Sequence, residues 1–297
     1  MKKSTNNDKL KSHFIKELDG KIILITGGGG SIGSMLAQTI LKYPIKQLRI
    51  IDIDEHSLFT LGRITKNHSK LRLLLGSVLD KDRLEMACNN VDIIIHLAAI
   101  KNIEISEFNP IETIDTNING IVNLIKTITR SKPKKFLNLS TDKAVESSTL
   151  YGATKLLSEK ITTWGGTHLN PPTKFATARF GNVIETKGNV FEIWKQENEN
   201  NMPISITDPT MERYFFHINE AVEFILECLP LMDTGEIFIP KMKMQSIKKL
   251  ADKISKKQKI IGKRNGEKIQ EILMSSDERK IAVEKKNMWI INKNKIF

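Results

Sequence analysis

Residues 21–40 read K-I-I-L-I-T-G-G-G-G-S-I-G-S-M-L-A-Q-T-I, from Lys21 to Ile40. The apolar run through Ile25 predicts a buried first strand. The segment from Ser34 onward has helical periodicity, and the glycines between them predict a tight turn. Strand, glycine turn and helix in this order are what a dinucleotide site requires. Gly27 allows the turn, Gly30 lets the backbone approach a pyrophosphate, and Gly33 lets helix pack on strand. Ser31 and Ile32 open the helix whose N-terminus faces the phosphates. A second apolar run, Leu48 to Ile51, ends in Asp52, nineteen residues beyond Gly33. A carboxylate there can accept both ribose hydroxyls of NAD and repel the 2′-phosphate of NADP. NAD is therefore the expected cofactor.

Further strands are expected at Leu71–Leu75, Val91–Leu97, Phe136–Leu139 and Phe175–Phe180. Helices are expected at Asp80–Ala87 and from Asn109–Pro110 through Leu124. Alternating strands and helices predict an α/β, Rossmann-type, doubly wound parallel sheet. The fourth strand ends in Ala98–Ala99, where the backbone can approach the cofactor. His96 within that strand reads as structural. Asn117, inside a helix, would need buried hydrogen-bond partners. Beyond Gly181 the elements shorten, with a helix at Ala221–Leu229, a strand at Ile237–Ile239 and a helix at Ile247–Ile254. The expected organisation is an N-terminal helical extension (1–19, with Leu10, Phe14, Ile15 and Leu18 at helical spacing) and an NAD-binding part (20–182). A smaller, irregular substrate-binding part (183–297) is interleaved with it.

The stretch after the fifth strand, Ser140 to Lys155, reads S-T-D-K-A-V-E-S-S-T-L-Y-G-A-T-K. Tyr151 and Lys155 share one helix face, one turn apart. A lysine ammonium beside a phenol favours the phenolate, which predicts a lowered Tyr151 pKa and a tyrosine usable as a base.

Composition narrows the functional classes. Of the net charge of +12, residues 241–297 carry 17 Lys+Arg against 6 Asp+Glu. That excess is either a solvated basic surface or a funnel for an anionic substrate. No interleaved aromatic platform accompanies it, so a nucleic-acid partner is not expected. Arg213, Arg264 and Lys268 could hold a diphosphate or form surface ion pairs. Cys88 and Cys228 lie outside any ligand spacing, so neither a disulfide scaffold nor a metal site is expected. No apolar run approaches the ~18 residues of a membrane span. The polar N-terminus has no hydrophobic signal region, and a cytoplasmic location is the expectation.

From about Gly20 to Glu278 the chain resembles extended short-chain dehydrogenases/reductases, in particular the UDP-N-acetylglucosamine 4,6-dehydratase group of polysaccharide biosynthesis. The carrying motifs are T-G-G-G-G-S-I-G at 26–33, A-A-I-K at 98–101, E-F-N-P at 107–110, T-N-I-N-G at 116–120 and S-T-D-K-A at 140–144. Y-G-A-T-K at 151–155, R-F-G-N-V at 179–183, T-D-P-T-M-E-R at 207–213, G-E-I-F-I-P-K at 235–241 and R-N-G-E-K at 264–268 complete them. The resemblance implies that Thr141 hydrogen-bonds the sugar, Asp142 is general acid and Lys143 general base. Tyr151 would be the base of the hydride step and Lys155 its activator. Ala98, Ala99 and Lys101 would line the cofactor, with Lys101 also near the substrate. Asn182, Arg213, Arg264 and Glu267 would contact the UDP portion. It also implies a homo-oligomer. The chain departs from the pattern at Ser77, Asn102, Glu104, Glu185 and Asn265, the segment I-E-T-K-G-N-V (184–190) standing where the group has a G-S-R-G-S-V form. The implied reaction is NAD-dependent 4,6-dehydration of a UDP-N-acetylhexosamine. A UDP-hexosamine 4-epimerase, which needs the same NAD and Tyr151, and a non-catalytic NAD-binding regulatory protein are the alternatives.

Overall fold

The structure, a computed structural model, describes residues 15–169 and 172–292. The glycine stretch sits between strand β1 (Ile22–Thr26) and helix α1 (Ser31–Ile40), as its pattern requires. Next come β2 (Gln47–Asp52), α2 (Glu55–Ile64), β3 (Leu71–Leu75), α3 (Lys81–Cys88) and β4 (Ile93–His96). Short helices α4 (Ile103–Phe108) and α5 (Pro110–Ile114) lead through a wide turn at Asp115–Asn119 into α6 (Gly120–Ser131). Strand β5 (Lys135–Thr141), a 3-10 turn at Asp142–Ala144, α7 (Leu150–His168) and β6 (Lys174–Phe180) complete the first six strands. They run parallel in the order β3-β2-β1-β4-β5-β6. The point where strand order reverses lies between β1 and β4, and ligands of such sheets bind beyond the carboxyl ends of strands there.

The sheet is covered on both faces, so β1 is buried along its whole length. Its period of two assigns alternate residues to the two faces. Ile23 and Ile25 join α1, α2 and α9 (Ile218–Leu231) in one core, while Ile22 and Leu24 join α3 and α6 in the other.

After β6 the chain leaves the sheet and builds a smaller lobe. This contains β7 (Asn182–Val183), α8 (Val190–Glu199), β8 (Ile204–Ile206) and β9 (Glu212–Phe216). It returns through α9 to β10 (Glu236–Pro240), parallel to β6, then leaves again as β11 (Met244–Ser246), α10 (Ile247–Ala251) and β12 (Gln258–Ile260). Helix α11 (Ser276–Ile281) and the hairpin β13 (Ala282–Glu284) and β14 (Met288–Asn292) close the sheet edge. A separate core of Trp194, Ile204, Ile206, Met211, Ile247 and Ala251 holds this lobe.

Some boundaries differ from the sequence pattern. The expected single helix from Pro110 is interrupted by the wide turn. The helix expected at Ile247–Ile254 ends at Ala251. The sheet is not wholly parallel: β13 and β14 run antiparallel because only three residues, 285–287, join them. Of the expected N-terminal helix, residues 15–18 are helical and Leu18 is buried; Leu10 and Phe14 lie outside the described residues. Among the described residues, no helix is long and apolar enough to cross a membrane.

Candidate functional site

A cleft of about 1220 Å³ opens at the carboxyl ends of β1, β2, β4 and β5 and is closed on its other side by the smaller lobe. Its first wall is the glycine turn. Gly27 has φ +67°, and a Cβ there would lie 2.6 Å from the Ala98 backbone. At Gly33 a Cβ would lie 2.5 Å from the Gly28 Cα, so close packing of the helix on the glycine turn excludes a side chain. Gly30 differs: a Cβ would meet only the Gly27 carbonyl, at 3.4 Å. The space above it is open to the cleft, and the α1 N-terminus has neither a side-chain cap nor an acidic residue in its first turn. Its free N–H groups and positive dipole end suit a phosphate. The Asp52 carboxylate accepts the Gly29 N–H at 2.8 Å and the Asp54 N–H at 3.1 Å, which ties the end of β2 to the turn. Gly27, Gly30, Ser31, Ile32, Gly33 and Asp52 all line the cleft. A glycine cradle, an uncapped helix start and a carboxylate at the second strand end together fit a dinucleotide.

Ala98, Ala99 and Lys101 continue this wall. They are held from behind by Asn117. Its Oδ1 accepts the Ile100 N–H at 2.8 Å, and its Nδ2 donates to the Ile100 carbonyl at 3.0 Å and to Thr154 Oγ1 at 3.0 Å. The wide turn at Asp115–Asn119 is a single π turn, a common device for placing one side chain inward. It meets the buried asparagine's demand for partners and ties the end of β4 to α7 beside Lys155.

Thr141, Lys143, Tyr151 and Lys155 share the cleft floor. The Thr149 hydroxyl caps α7 by accepting the Gly152 N–H at 3.1 Å. A Cβ on Gly152 would lie 2.2 Å from the Lys143 carbonyl, so glycine after Tyr151 lets α7 dock on the Asp142–Ala144 turn. Lys143 Nζ donates to Asp142 Oδ1 at 2.9 Å and approaches Asn182 Oδ1 at 3.5 Å. Thr141 Oγ1 donates to the same Asp142 oxygen at 2.9 Å and also acts on the Tyr151 phenol. Thr141, Asp142 and Lys143 thus form one hydrogen-bonded chain, with Tyr151 beside it on the cleft floor. Asp142 itself is fully buried and does not line the cleft.

The electrostatics correct one expectation. The Tyr151 phenol is raised above its ordinary range, because burial penalises the phenolate and the Asp142 carboxylate adds to that; the Thr141 hydrogen bond opposes it without offsetting it. Burial also lowers Lys155, to about 8, against the pull of Glu159. His96, hydrogen-bonded to Thr26 at 2.6 Å, is lowered to about 3 by burial and by Lys155, which keeps it neutral and structural.

The support behind Lys155 is not apparent from the sequence. Glu159, one helical turn on, grips Arg179 of β6 with two bonds, Nε–Oε1 at 2.8 Å and Nη2–Oε2 at 2.5 Å. Arg179 also binds Glu278 at 2.7 and 3.0 Å and the Leu273 carbonyl at 3.0 Å. Glu278 is the N3 member of the capping box that starts α11. Burial alone would lower Arg179, but the two carboxylates raise it further. The carboxylate that acts electrostatically on the cleft lysine is therefore tied through Arg179 to helix α11. The R-F-G-N-V motif offers a signal for Arg179; nothing local marks Glu159.

The smaller lobe supplies Asn182, Arg213, Arg264 and Glu267 to the same cleft. Arg213 is buried and donates to the carbonyls of Glu212, Ile269 and Lys268 at 2.8–2.9 Å. Neutral carbonyls orient its guanidinium, and the Glu271 carboxyl of the same cleft acts on it electrostatically. Arg264 is half exposed and ion-paired to Glu104 at 2.7 Å, across the cleft mouth. Lys268 turns away, donating to the Val145 carbonyl at 2.8 Å. Over the glycine turn, the Lys187 N–H donates to Ser31 Oγ at 3.0 Å and the Lys187 carbonyl accepts from Lys101 Nζ at 3.2 Å. In that loop Glu185 has φ +68°, a left-handed conformation that glycine adopts without strain.

Residues 23–293 match the profile of the polysaccharide biosynthesis protein family. The chain belongs to this family. One relative, the UDP-N-acetylglucosamine 4,6-dehydratase (inverting) of Campylobacter jejuni, is 38% identical over 279 residues, 92% of this chain and 83% of the relative. A UDP-glucose 4-epimerase of Rickettsia bellii is 34% identical over 282 residues, 91% of this chain and 82% of the relative. Among solved structures, Pen from Bacillus thuringiensis superposes with a TM-score of 0.89 at 32% identity, covering 92% of this chain and 90% of its own. The family is one of extended short-chain dehydrogenases/reductases, consistent with the strand order and the glycine turn.

Proposed function

We propose that this protein is a nicotinamide-dependent 4,6-dehydratase of a UDP-N-acetylhexosamine, UDP-N-acetylglucosamine in the first instance, acting in polysaccharide biosynthesis. The observation that carries this reading is the Asp142–Lys143 pair, joined at 2.9 Å beside Tyr151 and Lys155. Oxidation and re-reduction at carbon 4 require a tyrosine and a lysine. A second, separate proton-transfer pair is needed only when carbon 5 must also lose a proton. The dehydratase relative supports the same reading.

Gly27, Gly30, Ser31, Ile32, Gly33, Asp52, Ala98, Ala99 and Lys101 would hold the dinucleotide, with Asp52 favouring NAD over NADP. A bound nicotinamide supplies reversible hydride acceptance, from carbon 4 outward and to carbon 6 on return. Tyr151 takes the proton of the 4-hydroxyl. Its raised phenol needs a cation close by, and Lys155, held largely charged at neutral pH by Glu159, provides one. Thr141, beside Tyr151 on the cleft floor, orients the 4-hydroxyl. The 4-ketone then acidifies the proton on carbon 5, which Lys143 removes. Lys143 must first be free of its own proton, and direct transfer to Asp142 along their hydrogen bond achieves this with one movement. Arg213 and Arg264 face the diphosphate, and Asn182 and Glu267 bind the remainder of the UDP.

The 4-epimerase reading is kept by the Rickettsia relative, which covers the chain nearly as well. Product mass separates the two, because dehydration loses a water and epimerisation does not. Incubated with NAD and UDP-N-acetylglucosamine, the wild type should give the dehydrated product, with deuterium at carbon 5 when the solvent is D₂O. Lys143→Ala should accumulate reduced-nicotinamide absorbance and lose dehydration by about 10²–10⁴-fold, the usual worth of a general base. Full turnover by Lys143→Ala would show that the proposed base is wrong.

A homo-oligomer is part of the same proposal. Phe108 (84% exposed) and Ile111 (70%) on α4 and α5, and Leu157 and Trp164 on α7, are exposed apolar side chains on helices that pack on one another, apolar surface that a second copy could cover.

A further inference from the structure

Arg264 combines two demands that conflict. It is assigned to a negatively charged diphosphate, yet two carboxylates already flank its guanidinium. Glu104 Oε1 lies 2.7 Å from Arg264 Nε, and Glu267 Oε1 lies 3.9 Å from Arg264 Nη1. All three residues line the cleft. The two carboxylates are held differently. Glu267 is 12% exposed, and its Oε2 accepts the Arg264 N–H at 2.9 Å, so it is built into the loop that carries the arginine. Glu104 is 55% exposed and belongs to α4, on the other side of the cleft mouth. The arginine loop is fixed independently of Glu104. Ser148 Oγ donates to the Gly266 carbonyl at 2.6 Å, and Lys268 Nζ donates to the Val145 carbonyl at 2.8 Å. Gly266 has φ +77°, and a Cβ there would lie 2.7 Å from the Ser148 carbonyl oxygen, so glycine lets the loop seat on Ser148. Helix α4 has its own anchor, the Asn102 side chain, which accepts the Ile105 N–H at 3.0 Å. The arginine side chain can therefore change partner while both backbones stay in place.

We propose that Glu104 sets the affinity for the nucleotide: it occupies Arg264 across the cleft mouth, yields it to the diphosphate and takes it back as the nucleotide leaves. This rests on the reading that Arg264 faces the diphosphate. An exposed ion pair is worth little, because water solvates both charges when they part. A phosphate accepting two guanidinium hydrogen bonds is the stronger partner, so the exchange runs forward on binding. What the ligand gains from Arg264 is then the phosphate contact less the Glu104 contact. Substrate and product carry the same diphosphate and are weakened alike. Glu104 thus raises KM and eases product release without acting on the hydride or proton steps. It is a positioning residue that acts through Arg264.

The test is calorimetry of UDP binding to NAD-loaded wild type, Glu104→Gln, Arg264→Gln and the double variant. Glu104→Gln should bind UDP about 2–5-fold more tightly, the worth of an exposed ion pair. Its KM for UDP-N-acetylglucosamine should fall in proportion, with the single-turnover rate of carbon 4 oxidation unchanged. The gain should shrink toward nothing in 1 M NaCl, where the Debye length is about 3 Å. Arg264→Gln should weaken UDP binding, and adding Glu104→Gln to it should bring no gain. The proposal is overturned if Glu104→Gln binds UDP no more tightly than wild type, or if its gain persists undiminished in 1 M NaCl. A gain of the same size in the Arg264→Gln background also overturns it, since Glu104 would then be a plain repulsive charge. An Arg264→Gln variant that binds UDP as wild type does overturns the reading of Arg264 itself, and the role of Glu104 with it.

Discussion

Replacing Glu159 by Gln removes one end of the buried charge network while keeping its volume. Arg179 is 1% exposed and Glu159 is fully buried, and two short bonds join them. Breaking a buried pair by neutralising one partner costs roughly 3–5 kcal/mol, because the other charge stays buried. Arg179 retains Glu278, which is 14% exposed, so the lower end, about 3 kcal/mol, is expected. Equilibrium urea denaturation should show this as a lower midpoint at unchanged slope. The companion variant Glu159→Leu with Arg179→Met removes both charges, and its cost should fall to about 1 kcal/mol or less, since apolar replacement of a buried pair is often neutral. A second readout is independent of stability. Glu159 holds Lys155 upward, so Glu159→Gln should move the alkaline limb of the carbon 4 oxidation step below the wild-type position near 8. A Glu159→Gln variant as stable as wild type, or a double variant less stable than the single, would refute the reasoning.

Cofactor-free protein should bind NAD more tightly than NADP, and Asp52→Ser should narrow the gap; equal wild-type affinities would remove the role given to Asp52. Lys155 is lowered to about 8 in the fold from an ordinary 10.5, so between these values the unfolded chain binds the extra proton and stability should rise with pH. The rise should be read as the difference between wild type and Lys155→Met, because from about pH 9 the unfolded thiols of Cys88 and Cys228, and from about pH 10 unfolded tyrosine, lose protons that the buried groups keep, which reverses the sign of the total. Glu185→Gly should raise stability by about 0.5–1 kcal/mol in denaturant titrations, left-handed strain relieved less the entropy of glycine.

The features legible in the sequence are local ones. Strand, glycine turn, helix and Asp52 succeed one another within residues 21–52, and each declares itself by period or by a backbone need. Tyr151 and Lys155 are legible for the same reason. The phenol's burial is not written in that spacing, so the spacing alone gives the wrong direction for its shift. Glu159 and Glu278 stand 20 and 99 residues from Arg179 in sequence, and a glutamate on an amphipathic helix looks like a solvated one. Gly181 lies beside Asp142 because β5 and β6 pair with Thr141 against Phe180, and Tyr214 reaches it from β9 of the smaller lobe, neither of which local spacing shows. Edge strands β13 and β14 lie in a lysine-rich tail whose pairing to β10 has no local sign.

The π turn at Asp115–Asn119 bears on which changes of length this chain can accept. One residue more than an α-helical turn rotates the rest of the helix by about 100° and advances it by about 1.5 Å. Before the turn, Ile111 and Ile114 face outward; after it, Ile121, Leu124, Ile125 and Ile128 face the core. Asn117 points inward between them. Deleting one residue would restore a regular helix but would swing either the asparagine off the Ile100 backbone or the isoleucine stripe off the sheet. Substitution at the outward positions of this turn is compatible with the fold, whereas a gain or loss of a single residue is not.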